Sequence, residues 1–529
     1  MRLGERSLFT KKNWICLILI IFEIFSAYAL FSGLINMAEG KTYPYLWYGG
    51  TLCVLGLALI FVYLMSDILA HLNLPDLLPL GDRRSVIIER IVVGVVILAS
   101  AILRILVIER FPILPSSDYQ VYFQVAELLS KGKLGTSDYC SYIAEFPHIV
   151  GFPFILSLLF RITGPSLKAG LYFNMAASLL SVFLTYRISR TLCGRLGGVI
   201  ALLAAAFWPS QILYGTILAS EPVFTCMFLF CIWLFIYLFR YPAKLNHIEG
   251  SIILCVLLGV LISLTNAVRP QAIILLIAVI LCLIPMRVQF DKSEKMLNGK
   301  LRCAACQGWF RALIILFSFM ICSQLVSTAI SKTIAYELPG MSTSFGFNLM
   351  VGVHIDAKGA WNQQDADFLT NQFAATHSAE KAHQACLSVA LSRIKSNPIG
   401  VLNLSLEKFT FLWGNDDYAA SWATFLLDQQ GNLTSERQHL IQTITPWNND
   451  IYLVTLFLSA VLGMRSFKQR EIGPTHVLML IFIGTALLHM ILEWQNRYHY
   501  FVLPVFMILA SMAFADIYHE AVHSRMKSS

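Results

Sequence analysis

The sequence predicts an all-α polytopic membrane protein: about twelve transmembrane helices, a large first extracytoplasmic loop, and a small extracytoplasmic domain between spans nine and ten. Three observations lead there. Of 529 residues, 57% are hydrophobic and only 13% charged, against roughly 25% charged in a soluble domain. That is too little polar surface to cover a water-soluble globule. Apolar runs of helical length recur along the whole chain. Finally, Lys and Arg gather in the gaps between alternate runs, as cytoplasmic loops require. The formal charge of +8 is thereby accounted for by loop clusters. No basic stripe interleaved with aromatics is visible, so nucleic acid is excluded as a partner.

The elements follow in chain order. Met1 to Lys12 is basic and precedes the apolar run 14–35; with no small-residue cleavage site after it, this run reads as a retained first span. A helix crossing ~30 Å of hydrocarbon needs about 17–25 apolar residues. The runs that qualify or nearly do are 14–35, 46–71, 86–108, 169–187, 197–212, 222–240, 251–268, 271–286, 311–334, 449–464, 476–492 and 498–517. With the N-terminus inside, the cytoplasmic loops hold Arg83 and Arg84; Arg187, Arg190 and Arg195; Arg240 and Lys244. The loop from Arg287 to Arg311 follows, then Arg465, Lys468 and Arg470, and last Arg525 and Lys527. Both termini are therefore expected in the cytoplasm, and an inverted topology would put every cluster on the wrong side.

This orientation leaves two polar segments outside, 109–168 and 335–448. Within the first, Ile149 to Phe160 is too short to span and reads as a helix lying at or dipping into the membrane. The second has helical candidates at 363–395 and 399–413, broken at Pro398. The chain thus divides into two leading spans (1–85), a membrane core with its outer loop (86–334), the outer insert (335–448) and the closing spans with a tail (449–529). Of the 12 cysteines, most lie inside apolar runs, where they pack as small hydrophobes. Cys303 and Cys306 form one CxxC without further ligands at zinc spacing. Cys140 and Cys386 are the two placed outside, and their pairing is left open.

Chemistry-bearing residues collect on the outer face. Asp118, in Pro115-Ser116-Ser117-Asp118-Tyr119, stands just beyond the third span, ahead of Tyr122 and an amphipathic stretch from Val121 to Ser130. Its local role is a helix N-cap, which does not exclude a catalytic one. Glu221, before Pro222, fits a helix start, yet a carboxylate at that depth between apolar runs is costly and usually functional. Two such carboxylates could share a metal ion or divide base and orienting work. Arg269, before Pro270, and Arg497, before Tyr498, stand at the outer edge against the prevailing charge bias. Each alone could snorkel to headgroups; both also suit a phosphate, whose oxygens accept a guanidinium bidentately. Glu145 and His148 flank Pro147 at the mouth of the dipping helix, where the proline weakens any joint metal ligation.

In their order and sidedness these pieces resemble the GT-C class of membrane glycosyltransferases, nearest to the protein O-mannosyltransferase and aminoarabinose transferase branch (glycosyltransferase family 39-like). The resemblance spans Ile87 to Ala515. It rests on Asp118-Tyr119 with Tyr122 and Ala126, on Pro147, Gly151 and Pro153, on Tyr186-Arg187 with Gly194-Arg195, and on Ser220-Glu221, Arg269-Pro270 and Arg497-Tyr498 with Pro504. It implies a GT-C-like fold in a bacterial plasma membrane and sugar transfer from a polyprenyl-phosphate donor to a glycan, lipid or protein acceptor. The site would be extracytoplasmic. Asp118 would be the base of an inverting single displacement, assisted by Glu221, with the cationic groups on the departing phosphate. Tyr119, Tyr122, Glu145, His148 and Tyr498 would complete the substrate site. No cofactor is firmly implied, and a divalent metal is left open. The chain departs from the pattern in its two extra leading spans, in Tyr119 where many relatives have a second acid, and in Phe146 where the aminoarabinose branch has a lysine. A twelve-span transporter or flippase is a rival reading, though such carriers place their charges near the midplane; a lipid-linked glycan ligase or polymerase is another.

Overall fold

The computed structural model describes residues 11–38, 64, 83–240, 248–285, 308–338, 345–467 and 472–528. Every regular element among them is a helix. In chain order these are α1 (Lys11–Ala38), α2 (Arg83–Arg110), α3 (Asp118–Ser130), α4 (Tyr139–Glu145), α5 (Gly151–Thr163), α6 (Leu167–Ala206), α7 (Pro209–Tyr214), α8 (Glu221–Arg240), α9 (Ile248–Val268) and α10 (Ala272–Leu283). There follow α11 (Gly308–Ile334), α12 (Phe345–Gly352), α13 (Gln363–Thr376), α14 (Ala379–Ser396), α15 (Pro398–Trp413), α16 (Tyr418–Gln429), α17 (Ser435–Ser466), α18 (Pro474–Ile491) and α19 (Leu503–Ser528). Short 3₁₀ turns occupy Leu134–Thr136, Pro147–Ile149 and Asn496–Val502.

The all-α membrane class is borne out. Eight of the described helices are long and apolar enough to cross a bilayer, or nine if the bent pair α4–α5 counts as one span. The count of twelve is not reproduced among the described residues, for separate reasons. Run 46–71 lies outside the described residues but for residue 64, and Cys303 and Cys306 lie wholly outside them. The run 271–286 yields α10, only 12 residues long, about 18 Å of helix against ~30 Å of hydrocarbon. The run 449–464 is the far end of α17, a continuous helix of 32 residues that begins in the insert and carries Pro446 inside it. The stretch Ile149 to Phe160 lies in a helical segment, and α4 and the stretch 147–163 meet at 111°.

Helix α6 contains 40 residues but leaves helical geometry at Cys193 and Gly194, the glycine at a φ of +84°, a conformation that glycine adopts freely. The chain doubles back there. Near the start of α2, Glu89 pairs with Arg190 (2.9 Å) and Arg195 (3.2 Å), one on each side of the turn. Further along α2, Arg104 donates to Ser178 Oγ (3.3 Å) on the first limb and to the Ala206 carbonyl (2.8 Å) at the end of the second. Two antiparallel limbs put both pairs beside α2. The runs 169–187 and 197–212 therefore lie on separate antiparallel limbs, the second ending at Ala206 and followed by α7 after Trp208.

Two apolar cores result. The larger unites the bundle with residues 409–427 of α15 and α16. The smaller joins α3, α4 and the 3₁₀ turn Leu134–Thr136 to α12, α13 and α14. The segment 335–448 is thus shared: its first part packs with the segment 109–168, and its second part packs into the bundle. Cys140 and Cys386 are buried in the smaller core as free thiols.

Candidate functional site

Four chain breaks converge at one end of the bundle. Asp118 opens α3, Glu221 opens α8 with Pro222 in its first turn, Arg269 follows the last residue of α9, and Arg497 lies in the 3₁₀ turn leading into α19. Prolines 222 and 270 punctuate two of these breaks. At a third, Ser117, before Asp118, has φ +52°, a costly conformation for a non-glycine residue and one that collects at functional sites. The N-cap expectation for Asp118 is corrected. Asp118 is already the first helical residue, and the capping position, Ser117, makes no side-chain cap bond. The carboxylate is turned instead to Arg497, whose Nη2 lies 3.1 Å from Oδ2.

The charges alternate along a chain. Asp118 meets Arg497; Arg497 Nε is 3.4 Å from Glu221 Oε1; and the same oxygen lies 2.6 Å from Arg269 Nη1. Glu221 is 3% exposed and takes no directed hydrogen bond from the described residues, so charge rather than a directed hydrogen bond holds it there. Side groups fix the arginines. Arg269 donates to Gln271 Oε1 (2.9 Å) and Ser220 Oγ (3.1 Å), and its guanidinium lies 5.5 Å from the centre of the Tyr498 ring. Arg497 donates to the Tyr119 hydroxyl and sits 5.3 Å from the Tyr119 ring and 5.0 Å from that of Trp422. Such stacking favours a planar cation. Tyr119 in turn is hydrogen-bonded to Tyr214 (3.0 Å). Burial pushes the hydroxyl of Tyr119 above its usual range and that of Tyr122 up to about 12, so both stay neutral.

Beside this chain opens a cavity of about 370 Å³. Asp118, Tyr122, His148, Arg269, Arg497 and Tyr498 line it. Its apolar lining includes Val268, Pro270, Ile273, Leu488 and Leu492, and Asn348, Trp361, Glu493 and Gln495 line it as well. Gly151 presses against the Ala267 carbonyl, where any Cβ would collide with backbone, and this close approach sets His148 against the end of α9. Glu221 and Tyr119 are not among the lining residues; they stand behind the arginines. The expectation for Glu145 is corrected: it is buried away from the cavity, accepts a bond from Thr370 Oγ1 (2.9 Å), and its carbonyl faces His383 Nε2 (3.0 Å). Glu145 ties α4 to the insert.

No group of three or more His, Cys, Asp or Glu among the described residues is arranged to hold a metal ion. Asp118 and Glu221 do not face each other across a cation-sized space; a guanidinium occupies the position between them. The donor set does not fit a shared metal.

Sequence reasoning missed three features. Glu493 is 8% exposed and lines the cavity; burial pushes its carboxyl up to about 7. Lys408, 1% exposed, donates to the carbonyls of Gly352 (2.7 Å) and Leu492 (3.0 Å), and burial pushes its amine down to about 7. Asp416 is fully buried and accepts from Trp208 Nε1 (2.7 Å), Ser210 Oγ (2.8 Å) and Asn448 Nδ2 (3.0 Å), with His499 Nε2 at 2.9 Å. That network fastens the turn bearing Arg497 to α7, α17 and the loop that precedes α16. The only signal in the sequence was an acidic pair, Asp416-Asp417, next to an aromatic, which is ordinary for a loop.

Comparison with known proteins adds one family. Residues 147–307 match the model of dolichyl-phosphate-mannose-protein mannosyltransferases. That bears out the resemblance to GT-C membrane glycosyltransferases over a segment holding His148, Glu221 and Arg269, but neither Asp118 nor Arg497. No curated protein matches the chain. Among solved structures, the Archaeoglobus fulgidus oligosaccharyltransferase in complex with zinc and sulfate matches at 10% identity and a TM-score of 0.29, over 79% of this chain and 53% of that one. The chain thus spans about half the length of that structure, and no side-chain position is carried across.

Proposed function

We propose that this protein is a membrane glycosyltransferase that moves a sugar from a polyprenyl-phosphate donor to an acceptor hydroxyl on the extracytoplasmic face. The observation that carries the reading is one cavity lined by an accessible carboxylate, the buried Arg497, the half-buried Arg269 and several apolar side chains. A lipid phosphate needs such a combination: an apolar surface for the first prenyl units and guanidinium groups for the phosphate oxygens. A phosphate is a good leaving group. The enzyme therefore has to orient the acceptor, remove its proton and hold the charge that develops on the leaving oxygen.

Asp118 suits the base. Its side chain is 40% exposed, and the Arg497 guanidinium orients one of its oxygens. The acceptor oxygen attacks the anomeric carbon as its proton passes to Asp118. The bond from that carbon to the phosphate oxygen breaks on the opposite face, and Arg269 and Arg497 take the released charge. One displacement inverts the anomeric centre. Glu221 assists from behind, by holding both guanidinium groups in place. Tyr119 does the same for Arg497, while Tyr122, His148 and Tyr498 face the substrate. Turnover by purified full-length protein in nanodiscs, offered a panel of polyprenyl-phosphate sugars, tests the reading. Transfer with inversion is expected; a retained anomer, or transfer from nucleotide sugars in place of lipid ones, would sink it.

A further inference from the structure

Glu493, Gln495 and Trp361 in the lining of the cavity have no task in that scheme. They are nevertheless held more firmly than a solvated loop needs to be. Glu493 is held at three points: its N–H donates to the Asn348 carbonyl (2.9 Å), its carbonyl faces His489 Nδ1 (2.9 Å), and Oε1 accepts from Gln495 Nε2 (3.1 Å). Oε2 accepts no bond from the described residues and is not sealed in, so it faces the cavity. The Gln495 Oε1 is buried without a partner among the described residues. The loop bearing Trp361 is tied to the same segment by the Trp494 indole, which donates to the Lys358 carbonyl (2.8 Å), and by the Trp494 N–H to the Gly359 carbonyl (3.3 Å). Trp361 itself remains 53% exposed at the cavity.

A carboxylate oxygen without a donor and an exposed indole bordering one space have a common complement. Sugar hydroxyls donate to the first, and the apolar face of a pyranose ring stacks on the second. Gln495 is two residues from Arg497, which the proposed function places on the donor phosphate, and the donor sugar is one bond from that phosphate. We infer that Glu493 and Trp361 form the subsite for the donor sugar, with Glu493, held by Gln495 Nε2 (3.1 Å), accepting from its hydroxyls and Trp361 backing its ring. The inference rests on the lipid-phosphate reading of the same cavity.

Binding to full-length protein in nanodiscs separates the two claims. Bare polyprenyl phosphate is compared with the same lipid carrying mannose, glucose, galactose or arabinose. At least one sugar-bearing lipid should bind about tenfold tighter than the bare one. Glu493→Gln and Trp361→Ala should each remove most of that increment and leave bare-lipid affinity within about twofold; Glu493→Asp should restore part of it. An increment that survives both substitutions overturns the inference, as does an equal loss for bare and sugar-bearing lipid. If bare lipid binds and no sugar adds affinity, the subsite fails while the phosphate site stands. Absence of binding by either lipid overturns both.

Discussion

Glu221→Gln should weaken the fold and strengthen the grip on phosphate at once. Glu221 is the shared counter-charge of Arg269 and Arg497, at 2.6 and 3.4 Å, and it is 3% exposed. Removing it leaves two guanidinium groups in a buried site with Asp118 as their remaining carboxylate. Breaking a buried pair in this way costs roughly 3–5 kcal/mol. The same carboxylate also repels any phosphate seated on those arginines: two like charges ~8 Å apart at an effective dielectric of ~20 oppose each other by about 2 kcal/mol. Losing that repulsion should tighten bare polyprenyl phosphate roughly ten- to thirtyfold. Thermal melts of the protein in nanodiscs, with and without the lipid, read both effects. The variant should melt earlier alone and gain more from the lipid than the native protein does. Glu221→Asp, which keeps the charge, should lie between the two. A Glu221→Gln protein with native melting and native lipid affinity would refute the ion-chain reasoning.

Three further outcomes follow from the same geometry. Arg269→Ala and Arg497→Ala should each weaken lipid-phosphate binding by at least tenfold, measured by titration; unchanged affinity in both would return them to headgroup snorkelling. Lys408→Met should destabilise by about 2 kcal/mol, because it strips donors from the Gly352 and Leu492 carbonyls. It should also flatten a pH slope. The folded amine is pushed down to about 7 from 10.5, so between those values the unfolded chain binds more protons and native stability rises with pH. Melts between pH 7 and 10 that keep the same slope in the variant would exclude Lys408 as its source. Chelation of divalent ions should leave turnover within about twofold, since the carboxylates are paired with guanidinium and do not form a metal donor set; loss of activity restored by one metal would contradict this.

Much of the site was legible in the sequence because it is written against a background. Arg269 and Arg497 stand out as cations on a face with few of them, and Asp118 and Glu221 as acids at the rim of apolar runs. The structure joins these four in one chain of contacts. Gly194 with its flanking arginines likewise marked the hairpin that divides α6. What stayed hidden depends on partners distant along the chain. Asp416 is buried because Trp208, Ser210, Asn448 and His499 arrive from three other segments, and nothing in Asn415-Asp416-Asp417 announces them. Glu493 sits in a short loop between spans, where a solvated acid is the ordinary expectation. The insert could not be partitioned because its apolar positions serve two cores with the same helical spacing. Glu145 looked like a site residue only because Thr370 and His383, its partners, come from helices whose placement the periodicity does not give.

The central claim is that Asp118 takes the acceptor proton while the arginines hold the donor. Asp118→Asn, measured for donor binding and for single-turnover transfer on the same nanodisc preparation, tests it most directly. Donor affinity should stay within a few-fold of native while the transfer step falls by roughly 10²–10⁴. An Asp118→Asn protein that binds donor and transfers sugar at the native rate would contradict the account.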